Sequence, residues 1–255
     1  MSLILRIPGT SFSDTSIPLL RNDIVANAGT LDIFDALDAD ISWTSQADPA
    51  EGVDTWKSLI GSNTASFAGT TGWSNGFTID ATADQITMPS TFKRPANGEG
   101  VVIFWLKVGT QAFTSGSNNY IARVGNIGTN QWICYMQYGA TDASTYINFY
   151  TGNNSGIVLT MAVSTLPASR VVQLAISMEL VDGVYVYKSF VNGVKDTTVT
   201  TALTSLPQPS GQMIFGGSTN AFNGTVLRAL VDDLSATTPE ALVALDYSNN
   251  VGRFA

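Results

Sequence analysis

Three apolar-rich runs occupy residues 170–200, which read RVVQLAISMELVDGVYVYKSFVNGVKDTTVT. The runs are separated by two dipeptides, Asp182-Gly183 and Asn192-Gly193. Asp-Gly and Asn-Gly tolerate the positive φ angles that a two-residue type I′ hairpin turn requires. The stretch therefore predicts a three-stranded antiparallel meander, with strands at 171–181, 184–191 and 194–200 whose register is set by the two turns.

Short apolar runs with intervening turn signals continue on both sides of this meander. Further strands are predicted at 77–80, 85–88, 100–108, 119–124, 131–138, 146–151, 157–163, 211–215 and 224–233. In 100–108 both faces are apolar, which indicates a strand covered on both sides, whereas 171–181 alternates more and one of its faces is expected to see solvent or a partner. A helix is predicted only at 239–247, with Thr238 as its cap and Pro239 at its first position. Turn signals every ~8–12 residues are typical of an all-β antiparallel sandwich.

The apolar content of the chain changes near residue 68. Residues 1–68 contain short β-like runs but too few apolar side chains for a core of their own. We interpret them as an N-terminal β-rich extension that packs onto the main domain or anchors it to a neighbouring chain. Residues 69–255 carry the sandwich pattern and form the second unit of the prediction.

Composition restricts the classes of function. The chain has 12 Lys and Arg against 20 Asp and Glu, and a net charge of −8 opposes binding to nucleic acid. There is no histidine, so serine–histidine and cysteine–histidine hydrolase arrangements are excluded within this chain. The single Cys134 lies in an apolar run and is predicted to be a small buried hydrophobe. The opening residues 1–14 have the pattern of neither a signal peptide nor a membrane span, so no membrane insertion is expected.

Four aspartates form the densest acidic group of the sequence: Asp32, Asp35, Asp38 and Asp40. Clustered carboxylates can supply the six to eight oxygens that calcium prefers, although the spacing is not that of an EF-hand. Solvated carboxylates beside a strand and a turn are the alternative interpretation. No other cofactor is expected.

Aromatic and amide side chains are the candidate ligand contacts. Trp73 and Asn75 lie in the Gly-rich segment GTTGWSNGF, where a tryptophan is either presented to a ligand or plugs the space under the loop. Tyr185 and Tyr187 share one face of a predicted strand, which is expected to lie outward or in a cleft. Asn220 belongs to the amide-rich segment 216–224, whose donors and acceptors match sugar hydroxyls but also suit turns.

A carboxylate pair for glycoside cleavage is not evident. The chain has four glutamates, and no two of them lie close together in sequence: Glu51, Glu99, Glu179 and Glu240. Asp232 and Asp233 are adjacent, so on a strand they point to opposite faces and cannot act as a pair. The sequence therefore predicts a non-catalytic protein.

Residues 72–247 resemble the laminin-G-like, concanavalin A-like jelly-roll superfamily. The resemblance is carried by GWSNGFTIDATADQITMP at 72–89, VIFWLKV at 102–108, YKSFVNGVK at 187–195, and MIFGGSTNAFNGTVLRALVDDLSATTPEALVALDY at 213–247. It implies a jelly-roll β-sandwich with one short helix near the C-terminus. The motifs imply a fold and carry little information on function.

A low charged fraction of 13%, together with many Thr, Ser, Asn and Gly residues, is also similar to tailed-phage virion proteins. We expect a non-catalytic structural and binding module of a phage particle, in a decoration, fibre, tail or baseplate. Its expected partners are other virion proteins, further copies of itself, and a surface glycan or receptor. The alternatives are a free extracellular lectin-like protein and, third, a polysaccharide-degrading enzyme.

Overall fold

A computed structural model describes residues 25–37, 55–69, 72–73, 75–92, 98–110, 118–124, 132–137, 139–151, 157–200, 211–217 and 222–254. These residues contain sixteen strands. The strands are β1 (Thr30–Asp35), β2 (Thr55–Lys57), β3 (Thr64–Ala68), β4 (Gly72–Trp73), β5 (Phe77–Ile79), β6 (Gln85–Thr87), β7 (Gly100–Val108), β8 (Asn118–Val124), β9 (Trp132–Gln137), β10 (Tyr146–Thr151), β11 (Ile157–Ala162), β12 (Val171–Val181), β13 (Val184–Val191), β14 (Val194–Thr200), β15 (Met213–Gly216) and β16 (Gly224–Asp232). The α-helix α1 (Pro239–Phe254) follows the last strand.

The strands form two antiparallel eight-stranded sheets that pack face to face. The helix-bearing sheet has the order β14-β13-β12-β7-β16-β5-β4, with β1 paired to β16, and α1 lies on its outer face. The opposite sheet has the order β11-β10-β9-β8-β15-β6-β3-β2. The predicted all-β jelly-roll sandwich with a C-terminal helix is confirmed, and the helix runs seven residues beyond the predicted end, from 247 to 254.

The meander turns are built as the dipeptides predict. Asp182 and Gly183 have φ angles of 50° and 80°, and Asn192 and Gly193 have 49° and 81°. All four angles are positive, as a type I′ turn requires. The three strands of the meander therefore pair in the predicted order at one end of the helix-bearing sheet.

The interior between the sheets is apolar and rich in aromatic rings. Phe104 and Phe215 meet edge to face across it, with ring centroids 5.3 Å apart. Phe34 and Trp56 form a similar pair at 5.3 Å. Both strands that carry this second pair, β1 and β2, come from the N-terminal part of the chain, so that part contributes directly to the same core.

The described strands of residues 1–68 belong to both sheets. β1 pairs with β16 in the helix-bearing sheet, and β3 pairs with β2 and β6 in the opposite sheet. The division of the chain at residue 68 stays a prediction, but no break in pairing marks it among these strands.

A second apolar layer lies between α1 and the outer face of the helix-bearing sheet. Leu242 and Val243 of the helix pack there against Ile103 and Ala175 of the sheet. The expectation that one face of β12 is open is therefore wrong, since its residues 171–178 are buried on both sides. Within the described residues, no helix is both long and apolar enough to span a membrane.

Candidate ligand-binding cleft

A cleft of about 470 Å³ lies on the outer face of the helix-bearing sheet, beside the C-terminal end of α1. Its apolar lining is formed by four residues, Leu37, Val171, Leu227 and Phe254, and the exposed fraction of the last three is below one tenth. Small-molecule sites commonly occupy ~300–1,000 Å³ and are lined mainly by apolar groups. The cleft therefore has the size of a small-ligand site, and its floor is apolar although polar groups make up more than half of its lining surface.

Polar side chains surround this floor. Asn75, Lys107 and Ser169 are exposed, and Arg253 is half-buried. The amide and the hydroxyl both donate and accept hydrogen bonds, whereas the ammonium only donates. In this arrangement the apolar face of a ligand ring could pack on the floor of the cleft, and the hydroxyl groups of the ligand could hydrogen-bond to the polar side chains around it.

Strand register places Lys107 in the cleft. On β7 it lies directly opposite Val171 of β12 and Thr225 of β16, and directly opposed residues project to the same face of a sheet. It is also the only exposed residue of β7. The lysine is therefore positioned by the three longest central strands of the sheet.

A β-bulge in β16 places two neighbouring residues on the face of the sheet that α1 covers. The pairing of β16 with β7 shifts between Val226 and Arg228, which leaves Leu227 as the additional residue. Two residues of a bulged strand then oppose one residue of its partner. Leu227 lines the cleft, and Arg228 lies fully buried next to it beneath α1.

Two ion-paired arginines tie the helix to the sheet. Arg228 contacts Asp35 at 2.9 Å and Asp246 at 3.0 Å, and all three side chains are fully buried. Arg253 donates to both carboxylate oxygens of Asp35, at 2.6 and 3.2 Å, and also donates to Asn250 at 2.8 Å. Both terminal nitrogens of Arg253 thus donate hydrogen bonds to residues beside the cleft.

Asp246 is the centre of this buried network. Besides Arg228, it accepts hydrogen bonds from Trp105 Nε1 at 2.7 Å and Gln173 Nε2 at 2.9 Å. The Trp105 ring also stacks on Tyr247, with 5.7 Å between centroids. Trp105 is buried, as expected for a strand that is covered on both sides, and its contacts with Asp246 and Tyr247 hold the helix on the sheet.

The predicted ligand contacts are only partly brought together. Asn75 lies in the turn between β4 and β5 with a φ of 54°, which asparagine tolerates, and it lines the cleft. Trp73 pairs with Phe77 in backbone register, and its side chain lies outside the described part of the structure. Asn220 also lies outside the described residues.

The tyrosines do not form an open platform. Tyr185 and Tyr187 are 7% and 4% exposed and belong to the core between the sheets. The expectation that their face lies outward or in a cleft is wrong. The opposite face of β13 is also covered, since Phe190 packs in the layer beneath α1.

Two of the candidate calcium ligands are used by other contacts. Asp35 pairs with the two arginines, and Asp32 accepts hydrogen bonds from Asn63, at 2.9 Å, and from Thr91. Asp38 and Asp40 lie outside the described residues. In the part of the chain that the structure describes, no group of three or more metal-ligating side chains is present.

The fold brings together two glutamates that are far apart in sequence. Lys188 lies between them and contacts Glu179 at 3.0 Å and Glu240 at 2.9 Å. Burial is the largest single influence and favours the neutral form of both Lys188 and Glu240. The hydrogen bonds and opposite charges around each group together outweigh burial, so the pKa of Lys188 is raised and the pKa of Glu240 is lowered. The two carboxylates therefore act as counterions to a lysine.

Cys134 behaves as the sequence predicts. It is 3% exposed in the core between the sheets. Burial raises the pKa of its thiol well above the usual range, so the thiol stays protonated and unreactive.

Sequence reasoning missed most of the cleft. Lys107 is the one charged residue in the apolar run of β7, and this interruption was the available signal. Arg253 and Ser169 gave no comparable signal, because each becomes part of the cleft only through contacts with distant segments.

No protein-family model matches the chain, and no curated protein sequence is significantly similar to it. Solved structures do share its fold. Trypanosoma rangeli sialidase, in complex with 2,3-difluorosialic acid, has a TM-score of 0.58 at 11% identity over 91% of this chain. This chain spans only 34% of the sialidase.

Two binding domains are also similar. The binding domain of botulinum neurotoxin DC, in complex with rat synaptotagmin II, has a TM-score of 0.58 at 9% identity and covers 86% of this chain, which spans 51% of it. Domain 4 of AbnA, a GH43 extracellular arabinanase from Geobacillus stearothermophilus, in complex with arabinotriose, has a TM-score of 0.50 at 15% identity over 85% of this chain and 98% of its own. Identities this low establish the β-sandwich fold alone.

Proposed function

We propose that this protein is a non-catalytic binding module that holds a glycan, or the glycan part of a receptor, in the cleft beside α1. The observation that carries the proposal is the combination in one cleft of a buried apolar floor with the exposed polar groups of Asn75, Lys107 and Ser169. A sugar ring has an apolar face and a rim of hydroxyls, so both parts of the ligand are matched.

The similar solved structures support a binding role at the level of fold analogy. The botulinum neurotoxin domain is a binding domain in complex with synaptotagmin, and the AbnA domain is in complex with arabinotriose. The AbnA domain is also nearly matched in length by this chain. A sandwich of this type can therefore serve as a separate binding unit within a larger protein.

A catalytic role has weaker support. Retaining and inverting glycosidases need two carboxyl groups ~5–10 Å apart that face the same substrate. Glu179 and Glu240 come together, but Lys188 lies between them. Asp35, next to the cleft, is enclosed by Arg228 and Arg253.

We further propose that the module belongs to a bacteriophage particle, with a laminin-G-like sandwich as its scaffold. This placement is supported by the low charged fraction of 13% and by the Thr-, Ser-, Asn- and Gly-rich composition. Flanking reading frames that encode head, tail or baseplate components would support it, and flanking metabolic genes would contradict it.

The binding role is tested with a glycan array and a variant that fills the cleft. Ser169→Trp adds a large ring at an exposed edge of the cleft, and Ala244→Trp adds the same ring at an exposed position on α1 as a control. We expect the wild type and Ala244→Trp to bind the same glycans and Ser169→Trp to lose them. Retained binding by Ser169→Trp excludes the cleft. No glycan binding by the wild type contradicts the module, and the release of new reducing ends from a bound polysaccharide contradicts the non-catalytic role.

A further inference from the structure

We propose that the cleft takes an acidic sugar, with the sugar carboxylate paired to Lys107. This inference rests on the proposed function and names the ligand class of the same site. It is carried by the charged residues that the structure describes around the cleft, which are ion-paired except for this lysine.

The buried network beside the cleft is electrically neutral. Arg228 and Arg253 contribute two positive charges, and Asp35 and Asp246 contribute two negative charges. Both terminal nitrogens of Arg253 already donate to Asp35. The arginine therefore shapes the wall but has little charge left for a ligand.

Lys107 has no counterion within the described part of the chain. Among the residues that the structure describes, no carboxylate lies within 4.0 Å of its amine and no hydrogen bond satisfies it. Lys188 shows the contrast, because it lies between Glu179 of β12 and Glu240 of α1 and contacts both. A ligand that carries one negative charge completes the pairing at Lys107 and would make a charge-assisted hydrogen bond.

The helix end determines the orientation of the sugar. The last carbonyl groups of α1 have no partner within the helix and carry a fractional negative charge of about one half. Arg253 and Phe254, in that last turn, line the cleft. The carboxylate is therefore favoured on the Lys107 side of the cleft, away from the helix end.

A preference for acidic sugars cannot come from the overall field of the protein. The net charge is −8, which repels anions at long range. Tighter binding of an acid than of its neutral counterpart therefore requires a local group that favours a carboxylate, such as the ammonium of Lys107. The difference in affinity between an acidic sugar and its neutral counterpart therefore measures the effect of the positive charge in the cleft.

The experiment compares matched ligand pairs by titration calorimetry. The first pair is trigalacturonate and its methyl ester, and the second is sialyllactose and lactose; acetate is the free-anion probe. The proteins are the wild type, Lys107→Gln, Lys107→Arg, and Lys57→Gln, which removes the same charge at an exposed position on the opposite sheet. Thermal melts of all four proteins confirm that the fold is intact.

We expect the wild type and Lys57→Gln to bind the acid of at least one pair about 10- to 100-fold more tightly than its neutral counterpart. Lys107→Gln should lose this preference and Lys107→Arg should keep most of it. An equal affinity for acid and neutral sugar in both pairs overturns the inference, and so does a preference that survives in Lys107→Gln. Acetate that binds as tightly as the acidic sugars identifies a simple anion site and also overturns it.

The outcomes separate this inference from the proposed function. Neutral sugars that bind without an acid preference, and that are lost in Ser169→Trp, leave the binding module standing and reject the acidic ligand. No binding of any sugar rejects both. If Lys107 is only a solvent-exposed side chain with no role in binding, neutral and acidic sugars should bind equally well.

Discussion

The two faces of the helix-bearing sheet are both buried, but they are stabilised by different chemistry. The inner face, against the opposite sheet, packs apolar side chains such as Phe104 and Leu174. The neighbouring residues in sequence, Trp105 and Gln173, point to the outer face and donate hydrogen bonds to Asp246 of the helix. Successive residues of one strand thus contribute to an apolar core on one side and, on the other, to a polar network set within the apolar layer beneath α1.

This difference shows what the helix contributes. An apolar layer tolerates changes of shape at modest cost, whereas a buried ionic network needs every partner in place. The helix is docked by a lysine–glutamate pair near its start, by Asp246 in its middle and by Arg253 at its end. The outer face therefore fixes the helix, and the helix fixes one wall of the cleft.

The largest expected effect is at the centre of the network. Arg228→Ala removes one of the two guanidinium partners of Asp35 and the guanidinium partner of Asp246, and should lower the free energy of unfolding by about 3–5 kcal/mol. Chemical denaturation followed by circular dichroism measures the change, and Lys57→Ala on an exposed position is the control. If Arg228→Ala lowers the free energy of unfolding by less than about 1 kcal/mol, the buried ion pairs are not essential to the outer face of the helix-bearing sheet.

Adjacent residues on β7 compare the faces directly. Trp105→Phe removes the donor to Asp246 and part of the stacked ring, and should cost about 2–3 kcal/mol. Phe104→Leu keeps an apolar side chain in the inner core and should cost less than about 1.5 kcal/mol. Equal losses in the two denaturation curves would remove the distinction between a polar and an apolar face.

The two hairpin turns provide a matched pair of glycines. A β-carbon on Gly193 would lie 2.9–3.0 Å from the Tyr247 side chain of the helix, whereas one on Gly183 would meet nothing within 4 Å. Both glycines have positive φ, so alanine costs about 1 kcal/mol at each. Gly193→Ala should therefore have a melting temperature clearly below that of Gly183→Ala. Identical melting temperatures would show that the helix does not press on this turn.

The smallest expected effect is at the start of the helix. Glu240→Gln removes an ion pair that is partly exposed and should cost only about 0.3–1 kcal/mol at neutral pH. The folded-state pKa of Glu240 is lowered, so its contribution is present above the unfolded pKa and fades as pH falls through the folded pKa. The stability difference between wild type and variant should therefore shrink in acid, and a difference that stays constant between neutral and acidic pH would contradict the ion pair.

Most strand positions could be predicted because their signals are local. Apolar alternation and the two Gly-containing dipeptides give the bounds of β12, β13 and β14 as the structure has them. The burial of the outer face was not predictable in this way. It depends on α1 returning to the sheet, and no local pattern in β12 indicates that return.

The cleft shows the same limit. Asn75 was predicted from its Gly-rich turn, but Lys107, Ser169 and Arg253 come from three other segments. Leu227 lies in the cleft because a β-bulge in β16 turns its side chain to the outer face of the sheet. The apolar pattern of the sequence does not reveal this bulge. Conversely, Tyr185 and Tyr187 had the alternation of an exposed stripe, and the opposite sheet covers them.

The pairing of β1 with β16 has a consequence for synthesis of the protein. Thr30 and Asp232, which are hydrogen-bonded through their side chains, lie 202 residues apart in the chain. Nearly the whole described sequence must therefore be synthesised before β16 can pair with both β1 and β7 in the helix-bearing sheet. Contacts between such distant residues make folding slow, because the entropy of closing the loop is lost before the contacts form. Until then the nascent chain exposes unpaired strand edges, and we expect it to depend on chaperones that cover them during translation.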